Sequence, residues 1–229
     1  MPNDTLPDWE QVLASAAHLQ RILPDAVLVG GSAAVVYAAH RLSTDADHVL
    51  TNLKLRFDQV LVDLESVAGW QTSRINRPVL ILGSLDGIET GVRQLIRNEP
   101  LETSQIDYQG EKITVPTEAE ILRIKGILIL KRNATRDYLD FVALAEHMGS
   151  EKMIEALYPF DRLYPQPNDE SALQQLQIQL AQPLPYDLEE HSLAEYKRLD
   201  PRWHNWQNVK IACADYATLI FDRIVGLID

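Results

Sequence analysis

The stretch LVGGSAAVVYAAHRLSTDADHVL, residues 28–50, constrains the fold of this chain more than any other. A short apolar run ends in Gly30, Gly31 and Ser32, an apolar segment of helical character follows, and Asp45 and Asp47 then stand two residues apart before another apolar run. Side chains alternate across a strand, so residues two apart share a face. Two carboxylates held side by side repel, and aspartate is itself depleted from strands. A divalent cation between them accounts for the pair best. Few, hard oxygen ligands suit Mg2+, which keeps several waters and shares itself with substrate phosphates.

The glycines fit the same picture. A strand that ends in glycine lets a backbone approach a ligand closely. The helix after it, with Ser32 as its expected N-cap, offers N–H groups and the positive end of a dipole to a phosphate. The interval from Ser32 to Asp45 accommodates a helix of about three turns, enough to return the chain beside the first strand. Phosphate cradle and acid pair are therefore expected to share one cleft built for a metal–nucleotide complex. Each feature alone has a plain explanation, as turn chemistry or as a solvated loop. Rossmann and P-loop readings do worse: GxGxxG is not matched, and no Gly-Lys-Ser/Thr follows the glycines.

Periodicity orders the rest of the chain. DWEQVLASAAHLQRIL reads as a helix, AVLVGG as a short buried strand, ADHVLTNL as the next strand, and LKLRFDQVLVDLESVAGW as a helix. PVLILGSL, IETGVRQLI and KITV read as strands. EAEILRIKGILILKRNATRDYLDFVALAEHMG is expected to form two helices jointed at Asn133-Ala134-Thr135. Beyond residue 150, proline-rich connectors separate three helical patterns, SALQQLQIQLA, EEHSLAEYKRL and WQNVKIACADYATLIFDRIV. The reading is an α/β (α+β) chain with a small mixed-sheet core over residues 1–115 and a helical region over 116–229.

Composition removes several classes of function. A formal charge of −12 over 229 residues argues against a protein that coats nucleic acid non-specifically. The single cysteine, Cys213, cannot form an internal disulfide and sits in an apolar helical pattern, as a buried structural thiol does. The opening MPNDTLPDWEQ resembles neither a signal nor a transit peptide, and no apolar run approaches the roughly 18 residues of a membrane span. A cytoplasmic protein with no membrane partner is the expectation.

The pattern hydrophobic-Gly-Gly-Ser, helix, Asp-x-Asp resembles the signature of the nucleotidyltransferase superfamily, the polymerase-beta-like minimal transferases. GGSAAVVYAAHRLSTDAD together with RIKGILILKRNATRDYLDF is similar, more narrowly, to the AbiEii/AbiGii-type toxin family, over roughly residues 8–148. The resemblance implies Gly30, Gly31 and Ser32 at the triphosphate and Asp45 and Asp47 on Mg2+. It implies Lys125 and Arg136 contacting nucleotide phosphates or, as a catalytic role for Lys125, polarising the reacting centre, with Arg132 beside them and Asp137 and Asp140 as late acidic residues. A third carboxylate that activates the attacking hydroxyl is sought in Glu89, with Asp86 and Asp137 as alternatives. Lys125, Arg132 and Arg136 would form one stripe only on an unbroken helix, and Arg136 with Asp140 could equally be an i,i+4 ion pair.

The implied activity is transfer of a nucleoside monophosphate from a nucleoside triphosphate to an acceptor hydroxyl, on tRNA or protein, with an antitoxin as partner. Two alternatives stand beside it: a non-catalytic module that binds nucleotide or a partner, and a transferase acting on a small molecule such as an aminoglycoside. The remaining candidates read as structural. The histidines lack metal-ligand spacing, His40 and His48 suit partly buried hydrogen-bonded roles, and Trp203 and Trp206 suit anchoring of a helix. Ser43 has no partnered base nearby in sequence.

Overall fold

A computed structural model describes residues 8–189 and 192–224. The opening tail, read above as unlike a targeting peptide, begins outside them. The chain divides into two compact units: Met1–Ala33 with Ser43–Thr117, and Ala34–Leu42 with Glu118–Asp229.

The first unit opens with α1 (Trp9–Ile22). Asp8 caps it by accepting from the Gln11 amide, while the Gln11 side chain accepts from the Asp8 amide. β1 (Val27–Leu28) leads into α2 (Gly30–Ala38), whose first turn belongs to this unit. β2 (Ala46–Leu50), α3 (Leu53–Glu65), β3 (Trp70–Asn76), β4 (Leu80–Leu85) and β5 (Ile88–Gln94) follow. The five strands form one mixed sheet in the order β1-β2-β5-β4-β3. β2 and β5 run parallel at its centre, and the other neighbours are antiparallel.

One face of this sheet is apolar. Leu50, Ile81, Leu85 and Val92 join Leu19 and Leu23 of α1 and Phe57, Val60 and Leu64 of α3 in a single core. The register puts other residues on the opposite face. Asp47 pairs with Gly91, Gly91 with Leu82, and Leu82 with Arg74, a row that crosses four strands. β6 (Thr103–Tyr108) and β7 (Glu111–Pro116) form a separate antiparallel ribbon. The ribbon is tied to α1 where the Gln20 amide donates to Thr114 O at 2.8 Å and accepts from Thr114 N at 2.7 Å.

Two strands were absent from the sequence reading. β3 is an edge strand whose residues from Ser73 to Asn76 are all exposed, and β6 alternates only between exposed and half-buried. Neither carries an apolar stripe for periodicity to detect. The helix expected over LKLRFDQVLVDLESVAGW stops at Glu65, and Trp70 opens β3 instead.

The second unit contains α4 (Glu118–Arg132), α5 (Thr135–Met148), α6 (Ser150–Leu157), α7 (Phe160–Leu163), α8 (Ala172–Ala181) and α9 (Trp206–Arg223). The joint between α4 and α5 falls where expected. Asn133 adopts φ 45°, and its side-chain oxygen accepts from the Tyr138 hydroxyl at 2.6 Å and from Gln179 at 3.0 Å. Gly126 lets α4 approach its neighbours, since a Cβ there would stand 2.9 Å from Leu176 Cδ2 and 3.0 Å from Phe160 Cε2. Trp206 meets Tyr138 edge-on at 5.9 Å, and Trp203 is buried, the anchoring roles expected of both. Cys213 is buried, which pushes its thiol pKa up.

The helix expected over EEHSLAEYKRL is not formed: Leu193–Glu195 make one short 3-10 turn, and residues 190 and 191 lie outside the described residues. Among the described residues no helix is long and apolar enough to cross a membrane.

Candidate active site

The first unit brings the start of α2 against the acid pair. Gly30, at φ 74°, turns the chain from β1 into the helix, a conformation that suits a residue without Cβ. A Cβ built on Gly30 would stand 3.7 Å from Asp47 Cβ and 3.9 Å from Asp47 Oδ2, so the helix tip and this carboxylate are neighbours. Val29 N donates to Asp47 O at 2.8 Å and fixes the same junction through the backbone. Ser32 differs from its expected place: α2 begins at Gly30, and Ser32 lies within the first turn. It is fully buried, and its hydroxyl donates to Asp45 O, tying helix to strand.

Asp45 precedes β2 by one residue and Asp47 lies within it, both half-buried. Asp45 Oδ1 accepts from the Ser43 hydroxyl at 2.9 Å. Asp47 Oδ2 lies 3.8 Å from an Arg93 nitrogen, with Asp47 26 % exposed and Arg93 46 %. Among the described residues no three His, Cys, Asp or Glu side chains are grouped closely enough to enclose a metal. Asp45 and Asp47 are the oxygen donors of this junction that could hold Mg2+, an ion that takes few protein ligands and fills its remaining positions with water and phosphate.

The opposite face of β2 is locked. Ala46 O accepts from His48 Nδ1 at 2.8 Å and from the Thr90 hydroxyl on the parallel neighbour. A carbonyl only accepts, so His48 carries its proton on Nδ1, and Nε2 is a buried lone pair without a partner. Burial lowers the His48 pKa to about 4, against a smaller opposing effect of the Ala46 bond. The ring is therefore a neutral core group, hydrogen-bonded as expected but fully buried where only partial burial was expected.

Glu89 is the second residue of β5 and exposed, two residues before Gly91 on the face that carries Asp47. Asp86 sits at φ 54° in the turn between β4 and β5, with His18 Nδ1 2.8 Å from its Oδ2. The turn explains it. Arg93 escaped the sequence reading, although the signal was present: once IETGVRQLI is a strand, alternation puts Glu89, Gly91 and Arg93 on one face.

The second unit gives the late block different partners from those the resemblance implies. Lys125 and Asp137, read as catalytic, are both buried. Lys125 Nζ lies 2.7 Å from Asp140 Oδ2 and 3.6 Å from Asp137 Oδ1. Arg132, read as a phosphate contact, clamps Asp137 with both Nε and a terminal nitrogen, at 2.5 and 2.7 Å. These charges are spent on one another, because a buried ion needs a counterion where water is excluded.

Asp140 is fully buried and accepts from Arg41 Nε at 2.7 Å, Arg41 Nη2 at 3.0 Å and His40 Nε2 at 2.7 Å. Burial alone would raise its carboxyl, but Arg41, Lys125 and His40 outweigh that and hold it well below the usual carboxylate range. Its partners are thus Arg41, His40 and Lys125, and the break at Asn133 separates Arg136 from the Lys125–Arg132 helix. Arg136 is exposed and lines an open cavity of about 370 Å³ with Ala134, Tyr186, Asp187, Glu195 and Tyr196.

The fold is that of the nucleotidyltransferases, on comparison with solved structures. A candidate nucleotidyltransferase from Helicobacter pylori superposes over 96 % of both chains with a TM-score of 0.57 at 15 % identity. The antibiotic-resistance factor ANT(2'')-Ia, in complex with adenylyl-2''-tobramycin, matches over 68 % of this chain and 98 % of its own, with a TM-score of 0.50 at 10 % identity. At these identities the likeness is one of fold. No family model matches the sequence. Among curated proteins, the heme uptake protein MmpL11 of Mycobacterium tuberculosis is 28 % identical over 94 % of this chain. The mycolic acid-containing lipids exporter MmpL11 of Mycolicibacterium smegmatis is 30 % identical over 56 % of it. The chain spans 23 % of the length of the first and 13 % of the second.

Proposed function

We propose that this chain is a Mg2+-dependent nucleotidyltransferase. It holds a nucleoside triphosphate and transfers the nucleoside monophosphate to an acceptor hydroxyl, with pyrophosphate leaving. The observation that carries the reading is the meeting of Asp47 with the tip of α2, where a Gly30 Cβ would stand 3.9 Å from the carboxylate oxygen. Asp45 and Asp47 hold the cation, and the first turn at Gly30, Gly31 and Ser32 offers its amides to the triphosphate. The cation supplies charge neutralisation at the reacting phosphate and the departing pyrophosphate. Glu89 takes the proton of the attacking hydroxyl from the neighbouring strand. Positioning and electrostatics carry most of such chemistry, so this small set of residues suffices.

The similarity of GGSAAVVYAAHRLSTDAD and the late block to AbiEii/AbiGii-type toxins supports a toxin-like role in the cytoplasm, with tRNA or protein as acceptor and an antitoxin as partner. The aminoglycoside alternative draws on the ANT(2'')-Ia fold. Against it stand Arg93 and Arg74, both exposed on the face that carries Asp47, which would repel a polycation.

Calorimetric titration with each of the four nucleoside triphosphates, with and without Mg2+, tests the reading. Wild type is expected to bind at least one of them only with Mg2+. Asp47→Asn should weaken that binding by more than about 100-fold, beyond the roughly 10–100-fold typical of losing an outer-sphere partner, with an unchanged circular dichroism spectrum. Wild-type affinity in that variant would remove the site. Labelled-nucleotide transfer to tRNA, to total protein and to tobramycin then distinguishes the acceptors.

A further inference from the structure

We infer that Arg93 holds the seat of the cation in the free protein and passes to the triphosphate when the cation arrives. The inference rests on the reading of Asp45 and Asp47 as the metal ledge. Arg93 lies on β5, in the strand parallel to β2, two residues beyond Gly91, which the register sets directly beside Asp47. An arginine at this place reaches back along its own strand, and its guanidinium stands 3.8 Å from Asp47 Oδ2.

Gly91 keeps that path open. A side chain there would begin 3.5 Å from Asp47 Oδ1, against the carboxylate that Arg93 approaches. Arg93 is nearly half exposed, so the pair is weak and easily exchanged. A divalent cation and a guanidinium cannot occupy one carboxylate edge together, since like charges in contact repel. Displaced by the cation, the planar fork of Arg93 remains on the same face, beside the α2 tip that is proposed to receive the phosphates. Arginine suits that second partner, because its donors match phosphate oxygens in pairs. Arg93 therefore neutralises Asp47 before binding and contacts phosphate after it.

The two roles predict effects of opposite sign in one variant. Mn2+ alone, followed by electron paramagnetic resonance at fixed ionic strength, should bind Arg93→Gln about three- to fivefold more tightly than wild type, as expected on removing one exposed competing charge. The magnesium complex of whichever nucleoside triphosphate wild type prefers should bind the same variant about 10–100-fold more weakly, the range of a lost charge-assisted hydrogen bond. Arg93→Lys should recover part of both, as a cation without the fork. Unchanged Mn2+ affinity in Arg93→Gln, or tighter binding of both ligands, would overturn the role of Arg93. Equal Mn2+ binding by wild type and Asp47→Asn would instead overturn the metal ledge beneath it, so the two failures are distinguishable.

Discussion

At the residue scale, the acids of this chain divide into two kinds that look alike in sequence. Asp140 is fully buried, and its carboxylate is matched by Arg41, His40 and Lys125. Removing its charge takes away the carboxylate that Arg41 and the buried Lys125 share, and leaves Lys125 only the more distant Asp137, so Asp140→Asn should cost about 3–5 kcal/mol in a urea titration. Asp45 is half-buried two residues from Asp47, with no buried cation on it, among the described residues, to leave stranded, so Asp45→Asn removes a like charge from an acidic segment. Its effect should stay within about 1 kcal/mol and lean toward stability, as for a substitution away from the core. Equal costs for the two would remove the distinction. Spacing made Asp45 and Asp47 legible, because two aspartates two residues apart at the head of an apolar run demand an explanation. It could not assign the late block, because Lys125, Asp137 and Asp140 present the same residue types whether they face a ligand or one another. Their burial is a tertiary fact.

At the element scale, the parallel ladder of β2 and β5 is the frame of the site. It was legible as two apolar runs, but their adjacency was not, since α3, β3 and β4 lie between them in sequence. The exposed strand β3 escaped for the opposite reason: an edge with no buried stripe gives periodicity nothing to report. Gly91 also sits tightly against β4 on its other side. A Cβ there would stand 2.4 Å from Leu82 Cδ2 and 2.9 Å from Ile81 O. The leucine end can turn aside, but the carbonyl belongs to the β4 backbone and cannot. Gly91→Ala should therefore lower stability by about 1–3 kcal/mol, the range of an overpacked core. The measure is the urea midpoint, and an unchanged midpoint would mean that β4 and β5 are less closely apposed at this row.

At the scale of the whole molecule, charge and buried histidine act together in acid. The chain carries a formal charge of −12 at pH 7 and has a sequence pI near 4.9, so self-repulsion keeps it dispersed near neutrality and fades as the pH falls. His48 adds a stability term over the same range. Its unfolded pKa is 6.5 and its folded pKa about 4, so the unfolded chain takes up the proton first. The contribution is therefore intact above pH 6.5, declines as the pH falls, and is fully lost below about 4, for a total on the order of 3 kcal/mol. Between pH 7 and 5.5 His48 alone should remove about 1 kcal/mol, before most carboxylates begin to protonate.

Replacing the ring isolates this loss from that of the other histidines. His48→Gln keeps a donor for Ala46 O but does not titrate, so its stability should fall less over this interval than that of wild type, by about that 1 kcal/mol. Parallel pH profiles for the two proteins would show that the ring is not held neutral in the fold. With both effects converging on the pI, turbidity should rise most steeply near pH 5, where unfolding is easiest and repulsion weakest.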